Sequence, residues 1–381
     1  MRRTAIVALV MLGIAAAGVA ILMPSPPDPA PPIASPIDDA ERSRAIDALR
    51  PGTAKRPVIA IVTNNDGTEV ADLLSTFGVL RQADVADMVV VAEKNAPVQL
   101  YPGDLRVMPQ ASFDEFNRSH PDGADYVVVP AMDPHDDPAV VDWLLAQRKS
   151  GAKIVSVCNG SLTLGAAGLL DGRRATSHWS TVRKLRSRHP TMQWIADRRY
   201  VTDGDITTAT GITASLPLML ALVEAIGGRQ VAEDTARDLG VDHWDARHVS
   251  GAFRLTAAHR WTFLRNKLRF WARQQREVRV DGVDEIALGI AIDAYARTER
   301  VSVVSVASQQ QVRSKRGLVL LAGQVTDASG LQRPLPPLPT QAGRTPQFML
   351  ERIESDFDPR TARYVALTLE YPWRVAEVEP R

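Results

Sequence analysis

The chain begins with one uninterrupted apolar run and then settles into alternating blocks. Behind Met1-Arg2-Arg3, residues Ala5 to Met23 are apolar throughout. About 20 such residues, rising roughly 1.5 Å each as a helix, match the hydrocarbon core of a bilayer. Seven prolines between Pro24 and Pro36 then read as an extended, semi-rigid spacer. The basic flank predicts a single-pass transmembrane anchor, with the folded part outside the cytoplasm. The small residues of Ala15–Ala20 keep a second reading open, a signal-peptidase site that releases the protein as a periplasmic or secreted one.

From Arg56 onward, short β-branched runs alternate with stretches of helical spacing. PVIAIVT (57–63), DMVVVA (87–92), DYVVVP (125–130) and KIVSV (153–157) read as strands. ADLLSTFGVLRQA (71–83), residues 139–149, a stretch from Ser161 and ITASLPLMLALVEAIGG (212–228) read as helices. Strands that are apolar on both faces, separated by amphipathic helices, predict a mostly parallel sheet covered on both sides. The expectation is a flavodoxin-like α/β/α sandwich over 55–230, preceded by an anchor or signal (1–23) and a linker (24–54). A C-terminal α+β extension over 231–381 follows.

Two features stand out in that extension. Arg254–Arg279 carries eight Lys/Arg and one acid, Glu277, and Trp261, Leu264, Leu268 and Trp271 fall at helical spacing. This predicts a basic amphipathic helix. Its apolar stripe either packs on the domain or attaches to anionic lipid. The second feature is a strand–helix–strand over 276–307, which echoes 58–92; FMLERIESDFDPRTARYVAL (348–367) likewise echoes 218–239. A shortened, degenerate internal repeat is expected here, able to pack on the first domain as an intrachain pseudo-dimer partner; a chance likeness of two strand–helix–strand segments is the alternative.

Composition narrows the chemistry. With 45 Lys+Arg against 44 Asp+Glu, the net charge of +1 gives no global attraction to nucleic acid. A single cysteine excludes an intrachain disulfide framework and any multi-cysteine zinc site. Asp133, His135, Asp136 and Asp137 are bunched without ligand spacing, and His243 and His248 lie five residues apart. Neither predicts a metal site, and no cofactor is implied.

Cys158 follows a buried strand and precedes a helix, with small neighbours Asn159, Gly160 and Ser161. This is the nucleophile-elbow order, and a helix N-terminus is expected to lower the thiol pKa and offer N–H groups to a developing oxyanion. A buried, inert thiol is the competing reading. The segment IVSVCNGSLTLGAAGLLDGRRATSHW (154–179), with YVTDG (200–204) and TATGITASLPLMLALVEAIGG (208–228), resembles the ThiJ/PfpI (DJ-one) superfamily of the class I glutamine amidotransferase-like fold. Isonitrile-hydratase-like domains and the amidase-like domains ahead of AraC-type modules are the most similar members.

Carried over by position, the resemblance implies Cys158 as nucleophile, His178 as the histidine near it, and Asp72 as the acid on the first helix, with Glu69 as runner-up. It implies Asn159 and the Ala131 or Met132 backbone as oxyanion donors. Here the chain departs from the family pattern, with Val-Pro-Ala-Met-Asp in place of a Gly-Gly pair. Asn159 in place of a histidine after the cysteine argues against a peptidase. Without a late His-x-Glu pair the chain is not a true glutamine amidotransferase. Three functions follow: a cysteine-dependent hydratase, hydrolase or lyase on a small electrophile; a non-catalytic envelope sensor or interaction module, redox-responsive through Cys158 in one form; and a DNA-binding regulator, against which the strand-rich second half argues. The expected partner is a small molecule, with the membrane reached through the N-terminal helix and no nucleic acid.

Overall fold

The computed structural model describes residues 34–52, 55–326 and 331–373, which belong to one compact unit spanning Pro32–Arg381. Helix α1 (Asp39–Leu49) comes first, within the stretch read as linker, and is capped by the Asp38 carboxylate. In chain order there follow β1 (Val58–Val62), β2 (Thr68–Glu69), α2 (Val70–Ala83), β3 (Asp87–Ala92), β4 (Val98–Tyr101), β5 (Arg106–Val107), β6 (Ala111–Ser112) and α3 (Phe113–Ser119). Then come β7 (Tyr126–Val129), α4 (Pro138–Lys149), β8 (Lys153–Ser156), α5 (Gly160–Ala166), β9 (Arg174–Ala175), α6 (Val182–Arg188) and β10 (Gln193–Trp194). The first half closes with β11 (Tyr200–Asp203), β12 (Ile206–Ala209), α7 (Ser215–Gly227) and α8 (Arg229–Leu239).

Seven of these strands form one sheet in the order β11-β12-β8-β7-β1-β3-β6, parallel except for the antiparallel β11–β12 pair. Alternation along β1 explains the layering. Ile59 and Ile61 enter one core with α2 and α7, while Ala60 and Val62 enter another beneath α3 and α4. Burial on both faces is what a parallel sheet requires, so the α/β/α sandwich expected from the sequence is the fold observed.

The second half holds α9 (Ala257–Leu268), β13 (Gln274–Arg279), α10 (Glu285–Ala296), β14 (Val301–Ala307), β15 (Gln311–Arg313), β16 (Val319–Leu321), β17 (Gln324–Val325), α11 (Thr345–Asp356) and α12 (Pro359–Leu369). Strands β13, β14 and β17 make a parallel sheet, while the β15–β16 hairpin adds to β5, β4 and β2 in a five-stranded sheet shared by both halves. Helix α10 is buried along nearly its whole length against α2. Glycine makes that approach feasible, because a Cβ on Gly78 would overlap Ile286 and one on Gly289 would lie 3.0 Å from the Val70 carbonyl oxygen.

Two expectations need correction. Among the described residues no helix is long and apolar enough to cross a membrane, which overturns the transmembrane assignment and the single-pass membrane location. The segment on which they were placed, 1–23, lies outside the described residues. The basic helix also differs from its pattern, since it ends at Leu268 and the chain enters a strand at Gln274. Its apolar stripe faces outward, with Leu264 43%, Leu268 55% and Trp271 74% exposed, while Thr262 and Asn266 are buried. The Asn266 amide donates to the Thr298 carbonyl oxygen and to Thr361 Oγ1, so polar bonding rather than the apolar stripe docks this helix.

Candidate active site

The sheet changes direction of strand addition between β1 and β7, and the candidate residues gather beyond the carboxyl ends of the strands on both sides of that point. Glu69 ends the short β2 that follows β1, Asp72 lies in the first turn of α2, Ala131 follows β7, and Cys158 follows β8. Cys158 adopts φ 53°, in the left-handed region that a side-chain-bearing residue occupies at a cost. Its N–H donates to the Thr210 carbonyl oxygen at 3.0 Å, which ties the bend to the residue after β12. Gly160 is needed two residues later, since a Cβ there would overlap the Val129 carbonyl oxygen.

Cys158 is 3% exposed and lies close enough to the fully buried Asp72 carboxyl for its charge to act on the thiol. Burial pushes the thiol well above its ordinary value. The neighbouring Asp72 and Glu69 carboxylates push it the same way, against the opposing pull of Arg297 and of the Asn159 N–H. The sequence expectation of a depressed thiol is therefore reversed, because seven residues of helix α5 do not offset burial beside two acids. Asp72 itself is raised to about 7, chiefly by burial, although the Ala131 N–H donates to its Oδ2 at 3.1 Å. Glu69 caps α2 by accepting the Asp72 N–H at 2.6 Å, and burial together with Asp293 and Asp72 holds its carboxyl well above the usual range.

The remaining sequence candidates sit as follows. The Asn159 N–H favours the ionised form of Cys158, while its side-chain oxygen accepts from Thr181 Oγ1 at 3.0 Å. The Ala131 N–H is committed to Asp72, and Met132 bridges Thr68 in antiparallel fashion. His178 is buried with both ring nitrogens engaged, Nδ1 with Ser180 Oγ at 2.6 Å and Nε2 with the Thr368 carbonyl oxygen at 3.1 Å. A carbonyl only accepts, so Nε2 carries the proton. Burial lowers the ring pKa and keeps it neutral near pH 7.

The second half supplies residues that the sequence reading did not single out. Arg297 Nε lies 2.7 Å from Asp293 Oδ1, and Arg297 Nη2 lies 3.8 Å from Glu69 Oε1. Glu370, at the end of α12, accepts from His248 Nε2 at 3.0 Å and approaches His178 Nε2 at 3.9 Å. The signal for the first pair was present in the sequence: Asp293 is a lone charge within the apolar run IALGIAIDAYA (286–296) of α10, and Arg297 follows four residues later at the helix end.

A mostly parallel sheet clad in helices, with a strained cysteine between strand and helix at its carboxyl edge, defines the α/β elbow class of domain. The comparisons are more specific. Residues 58–225 match the DJ-1/PfpI family. The chain is 34% identical over 167 residues to the isonitrile hydratase of Pseudomonas putida, covering 42% of this chain and 69% of that protein. This chain belongs to the DJ-1/PfpI family. It is also 38% identical over 95 residues to the HTH-type transcriptional regulator CdhR of Pseudomonas aeruginosa, covering 25% of this chain but 28% of the regulator. Among solved structures, a ThiJ/PfpI family protein from Pseudomonas syringae is 29% identical with a TM-score of 0.44, covering 50% of this chain and 76% of that one.

Proposed function

We propose that this protein uses Cys158 to add water across a small electrophilic carbon, in a hydration or hydrolysis of the isonitrile type. The observation that carries this reading is a fully buried Asp72 carboxyl close enough to the left-handed elbow thiol for its charge to act on it. A carboxyl raised to about 7 both takes and returns a proton near neutrality. Because burial holds the thiol neutral, the attacking sulfur forms during attack rather than before it.

With an isonitrile, a bond forms between Cys158 Sγ and the terminal carbon. The Asp72 carboxylate takes the thiol proton and delivers it to that carbon, giving a thioimidate. Water then adds to the same carbon, the C–S bond breaks, and the thiol recovers its proton as an N-substituted formamide leaves. Isonitrile plus water equals formamide, with no redox partner. The Asn159 N–H steadies charge on sulfur, and neutral His178 serves as a fixed wall rather than a base, since both its nitrogens are occupied. In this reading the partner is a small molecule, and the Ala131 and Met132 amides serve as support for Asp72 and β2 rather than as oxyanion donors.

Incubation with a small alkyl isonitrile tests this. Formamide should appear, vanish in Cys158→Ser, and fall by about 10²–10³-fold in Asp72→Asn. Formamide made equally by Cys158→Ser overturns the reading. A second reading, a non-catalytic interaction module, is favoured by the 3% exposure of Cys158 and the occupied Ala131 N–H. It requires no turnover, and its redox form requires a stable sulfinate after peroxide, seen as two added oxygens by intact mass.

A further inference from the structure

The contacts between the two halves are reciprocal. Helix α2 starts after the capping carboxylate of Glu69, and α10 after that of Asp284. Each helix is followed by an acid in the left-handed region, Asp84 at φ 51° and Glu299 at φ 58°. Each then enters a strand parallel to the one before the helix, β3 beside β1 and β14 beside β13. Even single bonds recur, because the Thr63 N–H donates to the Val91 carbonyl oxygen at 2.8 Å and the Val280 N–H to that of Val306 at 3.0 Å.

Where the halves touch, the pattern maps onto itself when they are exchanged. In the antiparallel β5–β16 pairing, Val107 faces Leu320 and Arg106 faces Leu321. A short helical turn precedes α7 and another precedes α11. Gly211, just before the first turn, has no room for a Cβ against Glu370. Gln341, just before the second, fills the corresponding place against Gly240, at 2.8 Å from where a Cβ would stand. Glu370 and Gly240 both close their helices in the left-handed conformation, at φ 54° and φ 72°. These are the marks of an isologous two-fold contact, here made within one chain.

We propose that residues 274–369 act as a built-in partner subunit for the first α/β unit, and that Arg297 is the positioning residue this partner contributes to the Cys158 site. The inference rests on Cys158 being the reacting group of the proposed function. Counted from the helix caps, Arg297 stands where Gln82 stands in the first half, Asp293 where Gly78 stands, and Ala287 where Asp72 stands. Exchange of the halves therefore creates no second copy of the site. The cap residue that corresponds to Glu69, Asp284, is paired with Arg316 at 2.9 Å, which also lies 3.4 Å from Glu285 and donates to Gln82 Oε1 at 3.0 Å.

Around Cys158 the charged and titratable groups are Glu69 and Asp72 from α2 and its cap, Tyr101 from the end of β4, Asp133, and Asp293 and Arg297 from α10. Arg297 is the cation of that set. Fixed by Asp293 on one side, it faces Glu69, which in turn holds the Asp72 N–H. It favours the ionised forms of Glu69, Asp72 and Cys158 together, so it lowers the cost of holding the one negative charge that thiol and carboxyl share, whichever of them carries it.

Because the chain has one cysteine, its ultraviolet thiolate absorbance against a Cys158→Ser blank reports that residue alone. The titration is run on the full chain with Arg297→Gln, the side chain already accommodated at the mirrored position, and with Arg297→Lys. Arg344→Gln, which breaks the exposed Arg344–Asp242 pair, is the control. The thiol pKa should rise by about one pH unit or more in Arg297→Gln, be largely restored in Arg297→Lys, and stay put in the control. A folded Arg297→Gln variant with the wild-type titration overturns the proposal, as does Arg297→Lys shifting as far as Arg297→Gln. Should Arg297→Gln fail to fold, Arg297→Lys decides alone, a rise of about one unit or more counting against the proposal and a smaller one for it. The titration needs no substrate, so a failure of isonitrile turnover leaves its outcome separate.

Discussion

At Cys158 backbone strain, burial and an acid neighbour coincide, and each has a separable consequence. Asp72 takes its proton more readily in the folded chain, at about 7 against an ordinary 3.8. The sign follows directly. An acid raised on folding stabilises the fold below its unfolded value, and that stabilisation is lost as pH climbs from about 4 through about 7. Glu69 works in the same direction, while His178, lowered by burial, opposes folding as pH falls below its ordinary 6.5. Asp72→Asn should therefore raise stability by about 1–2 kcal/mol at pH 8 and change it little at pH 5, read from denaturant midpoints. The same variant should lower the thiol pKa, since an adjacent anion is gone, even as turnover falls. Gly160→Ala tests the elbow: its Cβ meets the Val129 carbonyl oxygen, and a loss of about 3 kcal/mol or more is expected in thermal or denaturant unfolding.

Among the elements, those with a strong period were legible and those that break it were not. β1, β3, β7 and β8 are β-branched runs buried on both faces, and the reading of 71–83 as helix agrees with α2 to within a residue. Cys158 and Asp72 were singled out as candidates, one from its place between strand and helix and the other from the family pattern, and both are buried in the fold. The depressed thiol was misread because a sequence displays the helix that follows the cysteine but not the depth of burial around it. α9 misled for a related reason. Its stripe of Trp261, Leu264, Leu268 and Trp271 looks like a core face, yet long-range bonds from Asn266 to Thr298 and Thr361 turn the helix over. Asn266→Ala should therefore cost about 1–3 kcal/mol by leaving buried partners unsatisfied, whereas Leu268→Ser and Trp271→Ser should stay within about 0.5 kcal/mol. Denaturant midpoints separate the two outcomes.

Over the whole molecule, the Cys158 site depends on residues far apart in the chain. Asp293 and Arg297 reach it only because Gly78 and Gly289 let α10 settle on α2. Gly289→Leu should cost about 3 kcal/mol and carry the thiol pKa upward, as the cation is withdrawn. An intact-mass measurement tests the central claim most directly. The protein is mixed with an alkyl isonitrile, quenched in acid within the first turnovers, and weighed. A species heavier by one isonitrile, mapped to the peptide holding Cys158 and absent from Cys158→Ser, is the predicted result. Formamide accumulating with no such species at any quench time, or an adduct that persists in Cys158→Ser, would contradict the account.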